Sequence, residues 1–397
     1  MNDGVGERIR AWRRRRGGMT QQVLAGLAGL SQAYISDIES GRRPLDKKAT
    51  QISIANALNV SVTQLLGNAT TPEDPSLNRA LAYVEPIRAA IIELGVGERR
   101  PASRDADTLR TVVRALLEHR NASDYAAAAA LLPELLPDVA AHGNDMAAEL
   151  LDVLGATRTV LKRLGFIDLA RDAAQIGVRI AEEYSDPAWL GAARFSLVHS
   201  FPIESAALGA RITSRTADEI QAETAREARE VYGHLHLSAA LGEATARNIG
   251  AAHDHLDEAE DVARALGEPE PTGPLSAGMN ANWFGPTQVQ LWRLAVATEV
   301  GDAVAALDIA RRVDLQAIPV PVRHVYYHAD IARTLAAEQR DQEAMHALAR
   351  AERAAPQHFR ANPVVRNLVE TLITRAKRRA VAGEMIQLAH KLGIDVL

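Results

Sequence analysis

Apolar side chains recur along most of this chain at three- and four-residue intervals, the spacing that gathers them on one face of an α-helix. In SQAYISDIESGRR, residues 31 to 43, Tyr34, Ile35 and Ile38 share one face, and Gln32, Ala33, Ser36 and Asp37 are left on the other. Upstream, GERIRAWRRRR places Ile9 and Trp12 three apart, and Gly17 and Gly18 stop that helix. Thr20 caps a second short helix, QQVLAGLA, with Leu24, Ala25 and Ala28 inward; Gly29 turns the chain, Leu30 plugs the turn, and Ser31 caps a third helix that runs to about Ser40. A fourth helix around Lys47 to Leu58 and a fifth, capped by Ser61 and ended by Gly67, complete a compact bundle of five. Small residues at Ala25 and Gly29 let two of these helices approach closely at a steep angle, as a helix-turn-helix requires.

After Gly67 the pattern breaks. NATTPEDPSLN, residues 68 to 78, has no apolar residue larger than alanine before Leu77 and reads as a linker. From 79 to 397 the helical period returns. Four windows begin with a turn-like residue and place small or apolar residues four and eight positions on: GFIDLARDA from 165, NIGAAHDHL from 248, GDAVAALDI from 301 and RDQEAMHAL from 340. Their spacing fits helix pairs of about 40 residues each, stacked into a solenoid. The expected organisation is therefore all-α: residues 1–67 as the five-helix bundle, 68–78 as linker and 79–397 as a helical-repeat domain.

Composition narrows the choice of chemistry. Aromatic residues make up 4% of the 397, which with abundant alanine favours closely packed helices over strands. The absence of cysteine excludes disulfides, thiolate metal sites and cysteine nucleophiles. Neither HExxH, a glycine-rich phosphate loop nor a Gly-x-Ser-x-Gly elbow occurs, so no catalytic residue, metal or cofactor is expected. The net charge of −5 hides an asymmetry: residues 1 to 67 carry ten basic and five acidic side chains, and the remaining 330 carry −10. A small basic module facing a polyanion is the implication. With no apolar run of transmembrane length, the expected location is the cytoplasm.

MTQQVLAGLAGLSQAYISDIESGRRP followed by IANALNVSVTQLLG resembles the DNA-binding domain of XRE, or lambda-repressor-like, regulators over about residues 6 to 67. The resemblance implies that the third helix enters the major groove, where Gln32 bonds a base edge, Ala33 offers a methyl contact to thymine, and Ser36 and Asp37 lie one turn further in. Asp37 either accepts from cytosine N4 or pairs with a neighbouring arginine. Gln21, Arg42, Arg43 and Lys47 are expected at phosphates. Glu39 and Arg13 match the family's internal ion pair, while Arg14, Arg15 and Arg16 stay solvated or reach the DNA backbone.

The downstream helix pairs resemble degenerate tetratricopeptide repeats, and the combined architecture is similar to that of peptide-pheromone receptor regulators. That resemblance implies a ligand groove. Its candidate lining is MNANWFGPTQVQLW, with Asn280, Asn282, Trp283, Phe284, Gln288 and Trp292, joined by His324, Tyr327 and His328 of PVRHVYYHA. The competing explanation is that the tryptophans fill gaps between helix pairs and the polar groups cap helices. The expected protein is a homodimeric transcription regulator reading a two-fold double-stranded operator under a peptide or small-molecule effector, in secondary metabolism or development. The alternative is a helical-repeat scaffold recruited to DNA-bound partners.

Overall fold

The computed structural model describes residues 4–16, 18–67, 75–269, 284–318 and 320–379. Among them are twenty-one α-helices and no strand, so the fold is all-α. The first five are α1 (Val5–Arg15), α2 (Gln21–Ala28), α3 (Gln32–Glu39), α4 (Lys48–Leu58) and α5 (Val62–Leu66). Then follow α6 (Pro75–Leu81), α7 (Val84–Gly95), α8 (Ala106–Asn121), α9 (Tyr125–Ala141), α10 (Ala147–Arg163), α11 (Ile167–Tyr184), α12 (Pro187–Val198), α13 (Ala206–Ile220), α14 (Arg226–Thr245) and α15 (Ile249–Leu266). The last six are α16 (Pro286–Val300), α17 (Ala303–Arg312), α18 (Pro321–Ala337), α19 (Asp341–Ala354), α20 (Pro356–Arg360) and α21 (Pro363–Arg379). Residues 68–74 of the expected linker lie outside the described residues; 75–78 are already helical, because Pro75 occupies a first helical position that has no use for an N–H.

A single device joins the helix pairs. Between α8 and α9, α10 and α11, α14 and α15, α16 and α17, and α18 and α19 stands one residue with left-handed backbone: Ser123, Gly165, Arg247, Gly301 and Gln339, with φ of 62°, 88°, 69°, 87° and 61°. In each pair the next residue's N–H reaches back to the carbonyl five positions before it, at 2.8 Å for Asp124 to His119 and 2.9 Å for the other four. Orphan carbonyls at the end of the first helix are satisfied and the next helix begins after two or three connecting residues.

Five positions after each left-handed residue stands an alanine: Ala128, Ala170, Ala252, Ala306 and Ala344, all fully buried. Nine positions after it stand Leu132, Ala174, Leu256, Ala310 and Leu348, buried as well. The sequence windows at 165 and 301 start on the left-handed residue and those at 248 and 340 start one later. For that reason Ala305, read as an inward position, is half-exposed and Ala306 takes the place in the core. A buried alanine asks for little room between paired helices, whose spacing depends on the side chains at the contact.

Two compact units emerge. One comprises Asp74–Arg293 and Arg312–His324, with the α8/α9, α10/α11 and α14/α15 pairs and a core of leucine, alanine and valine. The other is discontinuous in sequence: Met1–Glu73 together with Leu294–Arg311 and Val325–Leu397. In it the first five helices share a body with the end of α16, with α17, with most of α18 and with α19 to α21.

Side chains separated by hundreds of residues hold that second body together. Lys47, at the start of α4, offers no side-chain cap; instead the Glu299 carboxylate of α16 accepts from the Ala49 N–H at 3.1 Å. This places a negative charge on the positive end of α4. Arg333 of α18, itself buried, donates to buried Glu299 at 3.1 Å, to the Asp46 carbonyl at 3.0 Å and to half-buried Asp330 at 2.9 Å. Arg375 of α21 donates to the Arg42 carbonyl and the Ala336 carbonyl at 2.9 Å each, and to Asp341 at 2.6 Å. Lys47 Nζ donates to the Val300 carbonyl at 3.3 Å.

Candidate nucleic-acid interface

The segment folds around Ile9, Leu24, Ile35, Ile54, Leu58 and Leu65, each with no exposed surface. Both helices of the motif start on the caps expected of them. Thr20 Oγ1 accepts from Val23 N at 3.2 Å and Ser31 Oγ from Tyr34 N at 3.1 Å. Gly29 takes a left-handed conformation, φ 66°, and the Leu30 N–H closes the turn onto Ala25. At Gly6 a Cβ would stand 2.5 Å from the Ile38 carbonyl, so α1 lies directly against the end of α3. Arg8 Nε, bonded to the Leu65 carbonyl at 3.1 Å, ties α1 to α5.

Behind α3 the buried Glu39 carboxylate is paired with half-buried Arg13. Arg13 grips Glu39 with Nε to Oε1 at 2.7 Å and Nη2 to Oε2 at 3.0 Å. Burial alone would lift the Glu39 carboxyl; hydrogen bonds from Arg13 and Gln21, with the charges of Arg13 and Arg10, outweigh it and leave the group below the ordinary carboxylate range. From Glu39 a relay runs outward. Gln21 Nε2 donates to Glu39 Oε2 at 2.8 Å, and Gln32 Nε2 donates to Gln21 Oε1 at 3.0 Å.

The outward face of α3 carries Gln32 and Ala33 exposed, with Ser36 and Asp37 partly so. Beyond it Arg42 pairs with Asp37 at 2.7 Å, and Arg43 lies over the Tyr34 ring, its guanidinium carbon 4.6 Å from the centroid. Of the two readings open for Asp37, the pair with a neighbouring arginine is present, to Arg42. Gln21, expected at a phosphate, stands half-buried in the relay. Lys47 is half-buried against Val300, and Arg42 and Arg43 are exposed. Of the arginine run, Arg15 lies over Trp12 and Arg16 bonds the Asn59 carbonyl at 2.9 Å, so both pack on the domain's own surface.

A bundle that presents a capped, exposed polar helix behind a glycine turn, flanked by arginines, is a helix-turn-helix DNA-binding domain. Residues 5–66 match the family model described as a helix-turn-helix domain. No curated protein matches the chain.

Of the residues expected to line a groove, Asn280, Asn282 and Trp283 lie outside the described residues. Phe284 is buried with its ring against Gly233 and 5.2 Å from the His234 ring. Gln288 is fully buried, its amide oxygen accepting from Trp292 Nε1 at 2.6 Å and Arg323 Nη1 at 3.3 Å, and Trp292 is itself buried. These side chains fill the space between helices. His324 bonds the Ile318 carbonyl at 2.8 Å. Tyr327, which bonds the Ala310 carbonyl at 2.8 Å, and His328 belong to the other compact unit.

Sequence reasoning missed Asp46, Glu299, Arg333, Arg375 and Asp152. A signal existed: ATEVG, IARTLAA and LLDVLG each set a charge inside an apolar stripe, where a buried partner or a ligand is required.

Proposed function

We propose that this protein is a transcription regulator that binds a two-fold DNA operator as a homodimer and responds to a peptide or small organic effector taken up by its helical repeats. The observation that carries the DNA-reading half is the exposed face of α3, with Gln32 pre-aimed by the relay from Glu39 through Gln21. Gln32, Ala33 and Ser36 meet base edges, Arg42 and Arg43 meet phosphates, and Asp37 holds Arg42 until DNA draws it away. One recognition helix reads too few base pairs for useful specificity, which argues for two copies on half-sites one helical turn apart.

The responding half is supported by the discontinuous unit. Because the α16/α17 and α18/α19 pairs share buried ion pairs with the loop between α3 and α4, an effector that prefers one arrangement of the pairs changes the population of DNA-competent heads. The repeated left-handed turn and buried alanine fit a degenerate tetratricopeptide architecture. A cytoplasmic regulator of secondary metabolism or development is the biological setting this favours.

Selection of DNA from a random pool by the purified full chain tests the reading. A discrete two-fold motif is expected. Gln32→Ala should relax the preference at one position per half-site, with about 1–3 kcal/mol lost against the best base, whereas Arg43→Ala should weaken all sequences alike and reduce the salt slope by about one. Enrichment of no motif by the wild type, or indifference of DNA binding to both substitutions, overturns it and leaves the scaffold as the better account.

A further inference from the structure

Asp152 lies in the middle of α10 and is 1% exposed, yet neither carboxylate oxygen has a hydrogen-bond partner. It borders a cavity of about 60 Å³ together with Arg120 of α8, Arg158 of α10, and Trp189, Phe195 and Ser196 of α12. Both guanidinium groups are held by other residues. Arg120 Nε and Nη2 donate to Asn121 Oδ1 at 3.2 and 3.0 Å, and Arg158 Nε donates to Ser196 Oγ at 3.2 Å.

A buried carboxyl with no partner costs several kcal/mol unless it is neutral or a ligand completes it. Which ligand fits follows from the surrounding charge. An ammonium would face Asp152 but also two guanidinium groups. An anion would face two cations and, with Asp152 protonated, a hydrogen-bond donor. We propose that this cavity binds the carboxylate head of a compact organic acid: Arg120 and Arg158 supply the charge, the unpartnered Asp152 carboxyl meets the head, and Trp189 with Phe195 covers the acid's apolar part. A water-sized group needs about 10–15 Å³ of such space, so the cavity holds a carboxylate and one or two carbons, and the remainder of the acid extends along half-buried Trp189.

The protonation state agrees. Burial raises the Asp152 carboxyl to about 8 against the lowering pull of Arg120, with Glu149 on its own helix adding to the rise. Arg158 is the remaining charge in the cavity wall; α11 and α12 line it with uncharged side chains and α9 places no charge there. Ionisation above pH 8 puts a second negative charge beside the bound carboxylate and repels it.

This inference gives the effector a chemical class and rests on the repeats acting as a sensor, but its test needs no DNA. Calorimetric titration of the full chain with acetate, phenylacetate and phenethylamine, from pH 6.5 to 9.5, reads it directly. Both acids are expected to bind, phenylacetate the tighter, and the amine not at all; affinity should fall about tenfold per pH unit above pH 8. Arg158→Leu should weaken phenylacetate at least tenfold. Asp152→Asn, of the same size and still a donor, should bind phenylacetate with no such pH slope. Failure of both acids to bind the wild type at millimolar concentration, preference for the amine, or an unchanged slope in Asp152→Asn overturns the proposal. DNA selection that fails while the acids bind would count against the regulator reading instead.

Discussion

Glu39 shows what one buried charge does for a small domain. Its side chain has no exposed surface and its two oxygens are taken by Arg13 and Gln21, so removing the charge leaves a guanidinium without its partner. Glu39→Gln is expected to destabilise the helix-turn-helix segment by ~3 kcal/mol, measurable by denaturant unfolding at pH 7. Because the folded carboxyl titrates below its unfolded value, its stabilisation is complete above the unfolded value and is lost as pH falls through the folded one. The wild type should therefore lose stability more steeply than Glu39→Gln below about pH 4.5, and parallel curves would refute this role. Arg13 and Glu39 were legible in the sequence because the resemblance to lambda-repressor-like regulators implies an internal ion pair at those positions. The relay to Gln32 was not, since nothing in the spacing of Gln21 tells an amide that touches phosphate from one that touches Glu39.

At the level of the helix pair, the left-handed residue sets the register. Three of the five such positions carry Ser123, Arg247 or Gln339, where a Cβ costs about 1–2 kcal/mol in that backbone. Gln339→Gly should raise stability by ~1 kcal/mol, whereas Gly301→Ala should lower it by a similar amount, since it places a Cβ on the same left-handed backbone. A melting-temperature change of the same sign in both variants would contradict this account of the turn. The all-α class, the five N-terminal helices and the existence of paired helices were readable from apolar period and caps. The four windows did not share one register: those at 165 and 301 start on the left-handed glycine and those at 248 and 340 one residue after the left-handed position, because a left-handed arginine or glutamine leaves no signature of its own. Phe284, Gln288 and Trp292 were read as a groove lining with gap-filling as the alternative; all three are buried, as large side chains are where alanine leaves gaps between helices.

Across the whole chain, charge pairing joins parts that sequence separates. Arg333 meets Asp46, 287 residues earlier, and Glu299, 34 residues earlier. Burial works against its charge, but the carboxylates of Asp330, Asp46 and Glu299 prevail and push its ionisation further upward. A double-mutant cycle of Arg333→Met and Glu299→Gln should return a coupling of about 1–3 kcal/mol, and amide exchange at the start of α4 should accelerate in either single variant. Additivity within about 0.5 kcal/mol would show the two to be independent. Periodicity sees one helix at a time, so no reading of the sequence joins α4 to α16 across 250 residues. Those 250 residues also have a meaning in time. At a translation rate of roughly 5–20 residues per second, the ribosome makes Ala49 about 10–50 s before it makes Glu299. Each newborn copy thus passes through an interval in which its DNA-reading helices have already emerged and the helices that will clasp them have yet to be synthesised.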